Sequence, residues 1–342
     1  MNLTLDTFIA GLPKAELHVH HVGSASPRTV AELAARHAGS TRVPADEAAL
    51  ADYFTFTDFA HFIDVYLSFV DLLRTPDDIR TLTYEVARQL AGQQVRYAEM
   101  TLTPYTSMLR GIAAEDYCAA AEDARRAAQA ELGIVLRWCF DIPGEYGIPG
   151  ADATLDVALR LRPEGLVSFG LGGPEIGVPR AQFAPHFAAA RAAGLHSAPH
   201  AGESTGAQTI WDALNHLQAE RIGHGIAAAT DPALLAHLAD AGIPLEVSPT
   251  SNVCTRSVPS MAEHPLPVLV AAGVPVSINS DDPPMFSTTL NHEYAVAAEL
   301  LDLDQSGVAD LARASIRQSF ADEDVRQRLF AEIDDYAGGA ER

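Results

Sequence analysis

Lysine is almost missing from this chain of 342 residues: Lys14 is the only one among 23 basic side chains. Cysteine is nearly as scarce, with Cys118, Cys139 and Cys254 and no Cys-x-x-Cys pair. A thiolate metal cluster is thereby excluded, and three scattered thiols do not suggest a disulfide framework, so a reduced cytoplasm is the expected compartment. No apolar run approaches the roughly 20 residues that a membrane span requires. Met1 to Gly11 has neither a basic nor an apolar signal region, so no secretion signal is expected. Positive charge is in short supply overall, and the net charge is −22. Nucleic-acid binding draws on clustered Lys and Arg, so no nucleic-acid partner is expected.

What is present is a long alternation. Strand-like runs fall near Glu16–His21, Val95–Thr101, Val135–Asp141, Gly165–Gly170, His196–His200, Arg221–His224, Pro244–Ser248 and Val274–Asn279. Helical patterns lie between most of them, including Glu115–Leu132, Gln182–Ala193, Gln208–Leu217 and Asp231–Ala241. Repeated strand–helix units predict an α/β fold, a (β/α)8 TIM barrel, as one domain over residues 1–342. The long gap after the first strand holds helical patterns at Ser26–His37, Tyr53–Leu73 and Asp77–Leu90, and Asp46–Arg74 is expected to cover the barrel mouth as a lid. Ser26-Pro27 supplies an N-cap and a proline at the first helical position. Pro143–Gly150 is expected as a loop, and Thr288 to Tyr336 as extra C-terminal helix packed outside.

The chemistry-bearing residues gather where those strands end. His18 and His20 sit at strand spacing, so both imidazoles project to one face; His21 points the other way. His200 opens His-Ala-Gly-Glu, with Glu203 three residues on. His224 lies between Gly223 and Gly225, and Asp281-Asp282 precedes Pro283-Pro284. Taken singly, each has a plain structural reading: a polar strand end, a helix-entry glutamate, a turn histidine, a capping aspartate. Together they fall at the C-terminal ends of barrel strands, the catalytic face of such folds. Gly170-Leu171-Gly172-Gly173-Pro174-Glu175 lacks the Walker lysine and the dinucleotide spacing. The remaining histidines read as structural or exposed.

The lysine shortage bears on the metal. Two-metal barrel hydrolases bridge their ions with a modified lysine on the fourth strand, and none follows position 14 here. One ion held by three His and one Asp is the economical site, and such nitrogen and oxygen ligands suit Zn²⁺, one per chain.

The ordered pieces Pro13-Lys14-Ala15-Glu16-Leu17-His18-Val19-His20, Gly172-Gly173, His200-Ala201-Gly202-Glu203, Arg221-Ile222-Gly223-His224-Gly225, Ser248-Pro249-Thr250-Ser251-Asn252 and Asn279-Ser280-Asp281-Asp282-Pro283 resemble the adenosine deaminase family over nearly the whole chain. The resemblance implies that His18, His20, His200 and Asp281 bind zinc. It implies that Glu203 protonates purine N1, that His224 orients and deprotonates the water, that Asp282 contacts N7 and that the Gly173 N–H contacts N3. The nucleic-acid deaminase signature, H-x-E followed by P-C-x-x-C, is absent.

One departure bears on the substrate. Family members that use adenosine carry an acid, in His-x-His-Leu-Asp/Glu-Gly, that accepts the ribose 5′-hydroxyl. Here the segment reads His18-Val19-His20-His21-Val22-Gly23, so Val22 stands in its place. The segment resembles the branch of the family that takes 5′-extended adenine nucleosides such as aminodeoxyfutalosine, a menaquinone precursor carrying a 5′-linked benzoate. Arg74 in the lid, Arg28 and Arg256 are the candidate cations for that carboxylate. Ser248 and Pro174 replace a Cys and an Asp found in relatives, away from the metal set. The expected partner is thus a small 5′-modified adenine nucleoside. The alternatives are an ordinary adenosine or adenine deaminase, or a catalytically silent nucleoside-binding module.

Overall fold

The structure, a computed structural model, describes residues 4–53 and 59–340. It is the expected barrel. Its strands are β1 (Lys14–His20), β2 (Val95–Leu102), β3 (Val135–Pro143), β4 (Leu166–Gly172), β5 (His196–Ser197), β6 (His200–Ala201), β7 (Ile222–His224), β8 (Leu245–Val247) and β9 (Val276–Ile278), all paired in parallel. They form the runs β1-β2-β3-β4-β5 and β6-β7-β8-β9.

β5 and β6 are two halves of one barrel strand, interrupted at Ala198-Pro199. Proline has no N–H for the ladder, yet its carbonyl still accepts from Gly223 N at 3.0 Å, and Ala198 N reaches Phe169 O at 3.1 Å. The single expected strand His196–His200 is broken there. The ring closes between β1 and the segment after β9: Asp281 N donates to His18 O at 3.0 Å, and His20 N to Asp281 O at 2.9 Å. Closure thus places Asp281 beside the two histidines of β1.

β1 shows why a half-polar strand is buried along its length. Ala15, Leu17 and Val19 join the apolar core. Lys14, Glu16, His18 and His20 alternate with them, and the first three of these are also buried. Parallel barrel strands have no wet face. The polar set can stay buried only because each member has a partner, such as Glu16 accepting Ser280 N at 3.0 Å and Ser280 Oγ at 2.9 Å.

The insertion between β1 and β2 carries helices Pro27–Arg36, Glu47–Tyr53, Phe59–Val70 and Pro76–Gly92. Part of the expected Tyr53–Leu73 stretch, residues 54–58, lies outside the described residues. Ser26 caps the first helix through Thr29 N, and Thr75 with Asp78 forms a capping box on the last. The helix after β3 spans Gly147–Leu161, so it starts inside the segment expected as a loop. Pro149 sits in its first turn, where a missing N–H costs nothing. The expected C-terminal helical region is three helices, Leu290–Leu301, Gln305–Gln318 and Glu323–Ala340. The middle one packs on β1 and β9. Among the described residues no helix is long and apolar enough to cross a membrane.

Candidate active site

His18, His20, His200, His224 and Asp281 meet at the C-terminal mouth of the barrel. His20 Nε2 lies 3.2 Å from His200 Nε2 and 3.3 Å from Asp281 Oδ1. His18 Nε2 lies 3.6 Å from the same oxygen and has no hydrogen-bond partner among the described residues. His18, His20 and Asp281, and likewise His18, His200 and His224, offer ligand atoms within 4.8 Å of one another. Imidazole nitrogens and a carboxylate converging at these distances are the donor set a divalent cation requires. His224 and Asp281 also hold left-handed backbone, at φ 59° and 64°. Such strain in residues other than glycine is tolerated where the surroundings over-determine it.

The outer nitrogens fix the ring orientations. Leu171 O lies 3.0 Å from His200 Nδ1. Glu246 Oε2 lies 2.6 Å from His18 Nδ1, so His18 carries its proton on Nδ1 and turns Nε2 to the cluster. Glu246 is paired in turn with Arg221, and Arg221 with Glu99. Glu99 also accepts Tyr97 Oη at 2.9 Å and Phe320 N at 2.7 Å. This buried chain of two carboxylates and one guanidinium carries one excess negative charge, aimed at His18.

The titrations follow from these contacts. Burial pushes His20 down to about 4, and burial with the neighbouring imidazoles holds His200 well below its ordinary value. Both rings are therefore neutral, as ligation requires. Burial also opposes charge on His18, but Asp281 and Glu246 outweigh it and raise its pKa. A metal ion in that place would supply the positive charge these two acids favour. Burial opposes ionisation of Glu246, yet Arg221 and His18 bring it down to about 2.

The acids divide into two kinds. Asp281 is held ionised by its histidine neighbours against burial, whereas burial and Asp281 raise Asp282 far above its usual range. Burial likewise raises Glu203. Glu203 Oε2 stands 3.7 Å from His224 Nε2, and its Oε1 accepts Thr255 Oγ1 at 3.2 Å. A hydrogen-bonded run sets the tautomer of His224. Leu266 N donates to His264 Nδ1 at 3.1 Å, His264 Nε2 to Asn252 Oδ1 at 3.2 Å, and Asn252 Nδ2 to His224 Nδ1 at 3.1 Å. His224 Nδ1 accepts there, which leaves a ring proton on Nε2, facing Glu203 and Asp281.

Asp282 is buried against Gly23, where a Cβ would overlap its carboxyl. Val22, next to that glycine, is half-buried against the apolar core. Gly173 ends the β4 turn at φ 75°. Arg74 is not brought to the cluster. It is half-buried, and its guanidinium donates to Ser40 Oγ at 2.6 Å, Ser40 O at 2.7 Å and Asp71 O at 2.8 Å. Arg28 and Arg256 are exposed. His21 is buried, with Nε2 2.9 Å from Thr83 Oγ1, as its strand parity implies.

Several side chains around the site escape sequence reading. Glu246 and Asp141 are single acids inside apolar strands, and that misfit is the signal that marks them. Glu175 accepts Ser204 N at 3.0 Å, Thr205 N at 2.9 Å, Thr205 Oγ1 at 2.7 Å, Ser204 Oγ at 3.3 Å and Glu203 N at 3.4 Å. One carboxylate thus pins the loop that carries Glu203. Glu175→Ala is expected to lower kcat by about ten- to a hundred-fold, the cost of several unpaired buried donors, with KM and bound metal little changed. Steady-state kinetics with metal analysis checks this.

The adenosine deaminase family model matches residues 13–336, and the chain belongs to that family. It is 67% identical to the aminodeoxyfutalosine deaminase of Streptomyces avermitilis, over 97% of this chain and 93% of that one. Among solved structures it is similar to the adenine deaminase of Arthrobacter aurescens, with TM-score 0.90 and 31% identity over 96% of this chain and 99% of the other. It is also similar to a zinc-bound amidohydrolase of Burkholderia ambifaria, with TM-score 0.88 and 25% identity over 100% and 96% of the two chains.

Proposed function

We propose that this protein is a zinc-dependent hydrolytic deaminase acting at C6 of a 5′-extended adenine nucleoside, converting aminodeoxyfutalosine to futalosine and ammonia in menaquinone synthesis. The observation that carries the chemistry is the meeting of the His18, His20, His200 and Asp281 donors with a buried Glu203 carboxyl at one barrel mouth. The substrate rests on Val22 and on the 67% identity to an enzyme of that name. A net charge of −22 speaks for a small nucleoside over a nucleic acid, and three free thiols suit the cytoplasm.

His18, His20, His200 and Asp281 would hold one Zn²⁺. When bound, it would bring the pKa of a water molecule from about 16 toward about 7. Glu203, whose protonated form burial favours, gives its proton to N1 and draws electron density from C6. Asp282, whose protonated form burial favours, donates to N7, and the Gly173 N–H donates to N3. These three contacts orient the ring with C6 toward the histidines. The Nε2–H of His224 orients the incoming water. Accepting a proton there would need the opposite tautomer, against the Asn252 donor, so we assign His224 the orienting role. Water adds at C6 through its oxygen, one of its protons passes to the amino nitrogen, the C6–N bond breaks to release ammonia, and the proton left on the new C6 oxygen returns to Glu203.

A hydrogen bond to a charged group is worth about 1.5–3 kcal/mol. Restoring an acid with Val22→Glu is therefore expected to raise kcat/KM for adenosine relative to a 5′-extended substrate by roughly ten- to a hundred-fold; an unchanged ratio removes Val22 from the specificity account. Offering aminodeoxyfutalosine, adenosine, 5′-deoxyadenosine, methylthioadenosine and adenine side by side tests the substrate. Fastest turnover of aminodeoxyfutalosine is expected, and fastest turnover of adenosine or adenine overturns it.

A further inference from the structure

We propose that Asp141 reads the sugar of the substrate, its carboxyl pairing with the ribose 2′-hydroxyl; this rests on the nucleoside reading above. Asp141 closes the inner face of β3 and is 4% exposed. Its carboxyl lies across β4, in the space two side chains would otherwise fill. A Cβ on Gly170 would come within 2.6 Å of Asp141 Oδ1, and one on Gly172 would overlap Oδ2. Glycines at i and i+2 clear one strand face for it.

Asp141 Oδ1 has no hydrogen-bond partner among the described residues. The buried Arg180 is turned to Val178 O at 3.1 Å and Glu175 at 3.5 Å. Burial lifts the Asp141 carboxyl to about 8, so at neutral pH it is largely a neutral acid able both to give and to accept. A buried oxygen without a partner is destabilising, a cost removed when a ligand hydroxyl arrives.

Strand order says which part of the ligand that is. Glu203 follows β6 and Gly173 ends β4, and they face N1 and N3. Around the adenine ring, the step from N1 past N3 continues to C4 and N9. Around the barrel, the same step from β6 past β4 continues to β3. Asp282, after β9 on the far side, faces N7. The ribose on N9 therefore lies in the arc from β3 to β1, with Asp141 on the N3 side, where the 2′-hydroxyl falls. With Val22 giving up the 5′-hydroxyl, Asp141 supplies a grip on the sugar that a 5′ extension leaves untouched.

The test is a cycle of kcat/KM values on zinc-loaded enzyme. Wild type, Asp141→Asn and Asp141→Leu are given 5′-deoxyadenosine, 2′,5′-dideoxyadenosine and 3′,5′-dideoxyadenosine. Wild type is expected to lose about ten- to a hundred-fold on removal of the 2′-hydroxyl and little on removal of the 3′-hydroxyl. Asp141→Leu is expected to lose as much on 5′-deoxyadenosine and to be indifferent to the 2′-hydroxyl. Asp141→Asn, which keeps an acceptor oxygen, is expected to retain the 2′ preference and to serve if the leucine variant fails to fold. Losses that simply multiply in both variants, no 2′ effect in wild type, or coupling to the 3′-hydroxyl would each overturn the assignment while leaving the nucleoside reading intact. Turnover of adenine with none of any nucleoside overturns both.

Discussion

Glu203→Gln is expected to lower kcat by about 10²–10⁴-fold, the usual worth of a positioned general acid, with bound zinc and KM nearly unchanged. Glutamine keeps the shape and the Thr255 contact but has no proton to give N1. The pH dependence supplies a second reading. Burial raises Glu203 above the ordinary carboxylate range, and the protonated form is the active one. Its contribution is therefore present at low pH and lost as pH rises through the raised pKa, giving an alkaline limb in the kcat profile. That limb should vanish in Glu203→Gln. A variant with near-normal rate, or with the limb intact, would show that the acid lies elsewhere.

Asp281→Ala is expected to leave the protein without its metal and almost without activity. Asp281 presents Oδ1 to His18 and His20, while Oδ2 accepts Ser251 Oγ at 2.6 Å. Removing it takes away the one anionic ligand and leaves three imidazoles to hold a dication. Lewis-acid stabilisation is worth several kcal/mol, so a loss of about a thousand-fold or more in turnover is expected. Zinc should fall from one equivalent to a small fraction after dialysis. Because Asp281 also bonds β1 through its backbone, which alanine keeps, the barrel should still close. Full zinc retention in the variant would remove Asp281 from the ligand set.

The barrel and the meeting of its histidines were legible because both depend on local order. His18 and His20 share a strand face by parity alone, and each further motif falls where a strand ends. The insertion after β1 was legible as helices, from Ser26-Pro27 at its start and from the apolar pattern of Tyr53–Leu73. What local pattern does not carry is contact across the barrel. Glu99 and Glu246 lie on β2 and β8 and Arg221 just before β7, and only closure shows that they hold His18. Arg74 offers a cation in sequence, but its guanidinium is taken up by Ser40 and Asp71 in space. Pro199 was visible, yet the break it makes between β5 and β6 depends on the neighbouring strands. The tautomer of His224 is likewise set by His264 and Leu266, far along the chain.

The account stands on one ion among His18, His20, His200 and Asp281. Anomalous scattering from a crystal of the zinc-loaded protein, recorded on both sides of the zinc edge, tests that most directly. One peak per chain is predicted, bounded by the Nε2 atoms of those three histidines and by Asp281, with Glu203 and His224 beside it but unligated. Two peaks, or a single peak away from these four side chains, would contradict it.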